Sequence, residues 1–433
     1  MKIILARSAC YVGALILLTL VSFWRIPPTA QGVVWAEDGA VFLTDALNPT
    51  RTFTPIRPYA GYLHVVPRLA ADVVVRFFAL EDYAIALTVL ACAAVAGVAL
   101  MTYHCSQALT SNTWIRVAWA AVPIFVNVGA FETLGNFANL HWYLLWLTPW
   151  LLMKPAKSKL EGGVLFVVAA LASLTEIISI VFVPLFLYRL RDKNMWAARA
   201  GLSLGLACQV IATVTHPRTS GGASYPLDPW SPVYGWFINT AGPIVYGTAS
   251  GVMQQIVNFG AAPMIVASLL VLAVPVAVLV LGSAREKWLA GFFITASAVI
   301  WVACVVSNPA PYLDYATFSA ADWPARFVFG RYSVVPTMFV LATIPLLASA
   351  LARFGRAAPI AALTGFSLLL ASMYFPPSTS RNNGPVWAEH ILTGRSLCAP
   401  ASDTDFYDVP TSPVFFKGVV RIPCPVLKAG QSS

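Results

Sequence analysis

Apolar runs long enough to cross a bilayer recur along almost the whole chain, and they leave one architecture open. A hydrocarbon core takes about 20 apolar residues per helix. Runs near that length lie at 3–24, 83–103, 115–131, 138–153, 161–175, 177–190, 197–215, 261–282, 288–307, 330–350 and 357–375. Backbone N–H and C=O groups find no water in lipid, so each run is expected to be helical. Composition agrees: 58% of residues are hydrophobic and only 10% are charged, where soluble domains carry about a quarter. The expected fold class is all-α, a polytopic transmembrane bundle of about 11 helices. Runs 161–175 and 177–190 are short and also read as one broken helix. The first run follows Lys2 and Arg7 as a signal peptide would, but no A-x-A site follows, so it reads as an uncleaved helix.

Charge orients the bundle. Short loops rich in Lys and Arg stay in the cytoplasm. Lys154, Lys157 and Lys159 fill one connector, and Arg189, Arg191, Lys193 and Arg199 a second. Arg285 with Lys287, and Arg353 with Arg356, fill two more. With the N-terminus cytoplasmic, all of these fall on one side with Lys2, Arg7 and Arg116. That side holds only Glu161, Asp192 and Glu286 as acids. The net charge of +9 is thus a topology signal and gives no support to nucleic-acid binding.

Residues 59–80 imitate a further span. His64, Arg68, Asp72 and Arg76 recur every four residues, a polar stripe on an otherwise apolar helix. The pattern suits an amphipathic helix lying in the interface. A crossing here would invert every later loop and the charge rule with it. The outer face then carries loop 25–82, a turn near 132–138, the Pro/Gly-rich stretch 216–260, residues 308–329 and a tail. The expected division is a transmembrane bundle, 1–375, bearing a catalytic outer loop, 25–82, and an outer C-terminal tail, 376–433. Cys398 and Cys424 both lie in that tail and are expected to pair. No Cys/His spacing resembles a zinc site, and there is no P-loop or Rossmann fingerprint.

Long ordered loops tend to carry function. The first outer loop holds Glu37 and Asp38, adjacent in Trp35-Ala36-Glu37-Asp38-Gly39. Neighbouring side chains diverge, so one acid can face a cavity while the other caps a helix or binds a neighbour. Gly39 permits a tight turn. Further polar groups fall at the same expected depth: His64, Glu132, Asn139, His141 and Glu176 at outer helix ends. Ionisable residues at a membrane edge are costly and often functional. Arg331, opening a span, reads either as a snorkelling anchor or as a phosphate fork. Arg68 and Arg326 are further candidates for phosphate.

This arrangement resembles the GT-C superfamily of integral membrane glycosyltransferases. The general likeness covers residues 1–375; the specific likeness rests on Trp35–Gly39, the interfacial helix and Arg331. Tyr59-Ala60-Gly61-Tyr62 with Pro67-Arg68, Asn139-Leu140-His141-Trp142 and Gly330-Arg331-Tyr332 are also similar to motifs of a branch of bacterial multipass proteins. The acid pair departs from the family's frequent Asp-Glu order, and the tail is short for a member that transfers oligosaccharide. The resemblance implies sugar transfer from a polyprenyl-phosphate donor to a glycan or lipid acceptor on the outer face of a bacterial plasma membrane. It implies Glu37 or Asp38 as catalytic base and Arg331, Arg68 and Arg326 around the donor phosphate. His64, Glu132, Asn139, His141 and Glu176 would line the substrate cavity. A divalent cation at Glu37/Asp38 is compatible with the acid pair. The alternative is a multipass transporter or lipid flippase, with Glu132 and Glu176 relaying protons. A single cavity at the outer helix ends with one of the acids in its wall would favour the transferase.

Overall fold

The computed structural model describes residues 2–48, 50–51, 53–218, 225–376, 378–400, 402, 405–413 and 418–429, with side chains from residue 9 onward. It is 73% helical, with one two-stranded sheet among the described residues. Among the described residues six helical segments are long and apolar enough to cross a membrane: Leu80–Ser106, Thr113–Glu132, Lys193–Thr215, Ala262–Leu281, Ala284–Ser307 and Arg331–Phe354. Ala9–Trp24, Ile177–Leu187 and Ala357–Ser372 are shorter apolar helices. The chain is a multi-pass membrane protein.

Two expected spans are shorter than lipid alone would require. Leu140–Leu152 is a helix of 13 residues, every one of them buried. Protein surrounds it, so its length is set by its neighbours and not by a bilayer. Ile177–Leu187 winds as a 3₁₀ helix of 11 residues. At about 2.0 Å per residue it reaches roughly 22 Å, further than the same residues would in an α-helix. It meets the α-helix Lys159–Ser173 at Leu174–Glu176, so the pair is two helices and not one.

The basic connectors gather at one end. Ala156 N–H donates to Asn194 O at 2.9 Å, Lys157 Nζ to Gln107 Oε1 at 3.2 Å and Arg353 Nη2 to Glu286 Oε2 at 3.1 Å. Arg285 donates to Ala108 O. At the other end, Arg25 is buried and donates to the carbonyls of Ile124, Val126, Met373 and Tyr374, tying the root of loop 25–82 to two helix ends.

Three loop expectations change. The helix after the first span is Val65–Phe77 and not the whole of 59–80. A tight turn precedes it, with Tyr59 and Tyr62 exchanging hydrogen bonds and positive φ at Ala60 and Gly61. Its polar stripe turns inward as far as Asp72, while Arg76 is exposed: Arg68 binds Asp45 at 2.6 Å, and Asp72 accepts from Thr54 Oγ1 at 2.6 Å. Leu69, Val73 and Phe77 are left on the exposed side. The Pro/Gly-rich stretch 216–260 contains the helices Ser231–Tyr246 and Ala249–Phe259. Pro232 sits in a first turn, where its missing N–H costs nothing. Gly235 packs against the rings of Trp301 and Tyr315, where a Cβ would come within 2.6 Å.

The tail is a brace, not a separate cap. Helix Trp387–Cys398 is bonded through Cys398 to Cys424, with Cα atoms 5.3 Å apart. Strands β1 (Phe406–Pro410) and β2 (Val419–Pro423) pair antiparallel, with Val409 opposite Val420. Trp387 Nε1 donates to Leu80 O at 2.7 Å, and Arg381 donates to Leu134 O at 2.8 Å and Gly135 O at 3.0 Å.

Candidate functional site

The segment carrying the acid pair is held from both sides. Ser412 of the tail pairs with it in parallel: Ala36 N–H donates to Ser412 O at 2.6 Å, and Ser412 N–H to Val34 O at 2.9 Å. Gly39 is required by this contact and not by a turn. A Cβ there would meet Thr411 Cγ2 at 2.6 Å and Val34 Cγ1 and Val420 Cγ2 at 2.9 Å. On the opposite side Asp38 is 1% exposed. Its oxygens accept from Phe137 N–H at 2.9 Å and Ala138 N–H at 2.8 Å, and its carbonyl accepts from Tyr83 Oη at 2.9 Å. Burial pushes the Asp38 carboxyl up to about 7 and the Glu37 charge adds to this; the two N–H donors and Arg381 pull it back.

The two acids therefore part company. Asp38 fastens the loop to 137–138, while Glu37 lines a cavity of about 570 Å³ at the end of the bundle away from the basic connectors. Among the described residues no hydrogen bond or ion pair engages the Glu37 carboxylate. Asp38 opens a short π-helix, Asp38–Leu43, without capping it through its side chain.

His64, Asn139, His141, Glu176 and Arg331 stand in the wall of the same cavity. His141 Nδ1 pairs with Glu176 Oε2, and the other Glu176 oxygen accepts Ile178 N–H at 2.7 Å, capping the 3₁₀ helix. Asn136 Oδ1 accepts Asn139 N–H at 3.0 Å and so fixes the start of Leu140–Leu152. His64 lies under the Tyr62 ring, centroids 4.1 Å apart. Burial, with His141 and Arg68 nearby, pushes His64 down to about 3, so it is neutral at pH 7. Arg331 Nη1 binds Glu132 Oε1 at 3.3 Å, and Arg331 N–H donates to Glu132 Oε2 at 2.8 Å. Glu132 thus stands behind the wall as the anchor of Arg331.

Two expected phosphate ligands are elsewhere. Arg68 is buried under Asp45, which also binds Arg51 and lies 3.9 Å from Arg57. A guanidinium removed from water needs such a partner. Arg326 is exposed and holds Asp322 at 3.2 Å. Arg218 was not expected. It lines the cavity and donates to Asn308 Oδ1 at 2.9 Å, and its signal was the polar cluster His216-Pro217-Arg218 at a helix end. As for a metal, no group of three His, Cys, Asp or Glu is placed to hold one among the described residues. Asp38 and Glu37 point apart, so they do not form a two-carboxylate site.

No family model, curated protein or solved structure matches the chain.

Proposed function

We propose that the chain is a membrane glycosyltransferase of GT-C type. It moves a sugar from a polyprenyl-phosphate donor to a glycan or lipid acceptor at the outer face of a bacterial plasma membrane. The observation that carries this reading is the unpaired Glu37 carboxylate in the wall of a cavity that also holds Arg331 and Arg218. The donor phosphate binds the two guanidiniums, whose forked donors match phosphate oxygens. Glu37 accepts the proton of the acceptor hydroxyl as its oxygen attacks the anomeric carbon. The bond from that carbon to phosphate breaks, and its electron pair leaves with the lipid phosphate, whose charge Arg331 stabilises. General base catalysis contributes roughly 10²–10⁴-fold, and positioning supplies much of the rest.

Transport is the competing reading, and packing beneath the cavity speaks against it. Trp146 and Trp150 are fully buried, and their rings pack at a tilt against each other with centroids 5.2 Å apart, Trp146 against Phe339 at 5.1 Å and Trp150 against Phe293 at 5.6 Å. A substrate path through the bundle would have to part this aromatic core.

The test is transfer of radiolabelled sugar from a panel of polyprenyl-phosphate sugars by membranes carrying wild type or Glu37→Gln. We expect label in lipid or cell-wall glycan with wild type, and a loss of at least about 10²-fold in the variant. Full activity of a well-folded Glu37→Gln would sink the base assignment. Silence of wild type with every donor, together with flux in proteoliposomes, would favour transport.

A further inference from the structure

The helix Lys2–Trp24 is gripped at one end and loose at the other. Ser22, near its last turn, and Arg25, just beyond it, are buried, whereas Tyr11, Val12, Ile16 and Leu17 are exposed. Along this loose half a groove of about 690 Å³ runs between Lys2–Trp24 and the helices Tyr83–Ser106 and Thr113–Phe125. Ala14, Ala120 and Ala121 line it, where larger side chains would fill the gap, and Leu18 and Phe125 line its far end. From Val117 to Phe125 the groove follows about 12 Å of helix. One leaflet of a bilayer offers roughly 15 Å of hydrocarbon, so the groove matches the depth of an acyl chain.

Its mouth lies at the basic end of the bundle and carries a cation. Tyr103 is in the groove wall, and the Arg116 guanidinium lies over its ring, 4.0 Å from the centroid. Tyr103 O holds one edge of that guanidinium, accepting from Nε at 3.1 Å and from Nη2 at 3.0 Å. Among the described residues Nη1 has no partner and no carboxylate pairs with Arg116, whose side chain is half-buried. The acids of this end are already taken: Glu161 by Lys154 and His104, Asp192 by Arg189, and Glu286 by Arg353. Trp114, on the same helix, is exposed, and Trp is enriched at headgroup depth. A guanidinium with one edge held and one edge free suits a phosphate oxygen. A free phosphate would have no use for the groove, and a zwitterionic headgroup would bring a second cation to Arg116.

We infer that this groove is a binding site for an anionic phospholipid, with an acyl chain along Ala14, Ala120 and Ala121 and the phosphate on Arg116. It lies at the end of the bundle away from Glu37, so it stands or falls apart from sugar transfer. Full-length protein is placed in phosphatidylcholine nanodiscs with a trace of phosphatidylglycerol or phosphatidylcholine bearing a photoreactive diazirine on one acyl chain. Crosslinked residues are mapped by mass spectrometry. Val276, Leu279 and Val280, exposed and apolar near the same basic end, serve as the reference face. In the groove the phosphatidylglycerol probe is expected to label about fivefold more than the phosphatidylcholine probe, the worth of one cation beside an anionic lipid. Arg116→Gln erases that preference, Arg116→Lys keeps most of it, and neither alters labelling of the reference face. Ala120→Phe lowers labelling of the groove by both probes. Equal labelling of the groove by the two probes in wild type overturns the site, whatever the variants do. So does a preference no larger in the groove than on the reference face, which would assign it to the basic end as a whole. A preference that survives in folded Arg116→Gln, or groove labelling unchanged in folded Ala120→Phe, overturns it as well.

Discussion

Replacing each acid of the pair in turn separates chemistry from architecture. Asp38→Ala leaves the N–H groups of Phe137 and Ala138 buried without acceptors. Each unsatisfied buried donor costs about 1–3 kcal/mol, so the loss is roughly 2–6 kcal/mol. Asp38→Asn keeps one acceptor and loses about half of that. Glu37→Ala removes no hydrogen bond and is expected to change stability by less than about 0.5 kcal/mol. Unfolding midpoints in detergent, read beside sugar transfer, check this. Asp38→Ala should lower the midpoint strongly, and Glu37→Ala should leave it in place while stopping transfer. An Asp38→Ala protein that unfolds with wild type yet transfers nothing would refute the reasoning and make Asp38 a catalytic group.

The same carboxyl fixes the sign of a pH dependence. Burial penalises the charge of the Asp38 carboxylate and pushes it up to about 7 in the folded chain, from its ordinary 3.8. The folded state then binds the proton more tightly than the unfolded chain. Its contribution is complete below about pH 4, falls as pH rises, and is lost above about pH 7. At about 1.36 kcal/mol per unit, the span is on the order of 4 kcal/mol as an upper bound. Wild type should therefore melt lower at about pH 8 than at about pH 5, and Asp38→Asn should flatten that slope. A midpoint that rises across this window in wild type alone contradicts the burial argument.

Asp45→Asn should strand Arg68, which is 2% exposed and bound to it at 2.6 Å. The expected cost is about 3–5 kcal/mol in unfolding free energy, and a neutral result would show that water reaches Arg68. Gly39→Val drives a side chain into Thr411, Val34 and Val420. It should cost about 1–3 kcal/mol and loosen the tail, seen as faster proteolysis of the tail with less transfer.

How far the sequence reached depends on which contacts decide each feature. The apolar runs and basic connectors are local signals, and the ends they predicted meet: residues 104–116, 154–161, 194 and 285 interlock. The polar helix ends also converge, since His64, Asn139, His141, Glu176 and Arg331 share one wall with Glu37. Three things were hidden because they depend on distant partners. Which acid faces the cavity is decided by N–H groups about a hundred residues away, at Phe137 and Ala138. The polar stripe of Val65–Phe77 gives a period without a direction, and Asp45 turns it inward, taking Arg68 from the site. Arg218 sits in a Pro/Gly-rich stretch that reads as loop, and only the fold brings it against Gly61 in the cavity wall.

The tail gains its meaning from the same geometry. A general base works only when held within a fraction of an ångström of its proton donor, and a loop alone does not hold a side chain that tightly. Here the residues on either side of Glu37 are fixed by different parts of the chain. Ala36 is tied to Ser412, and Asp38 to Phe137 and Ala138. Arg381 then ties the tail to Leu134 and Gly135, in the very turn that Asp38 grips. Loop, turn and tail close a ring of contacts around one carboxylate while leaving that carboxylate itself unpaired. The bracing stabilises the loop in its own right, and in the proposed transferase it would also hold the Glu37 base in one position from turnover to turnover.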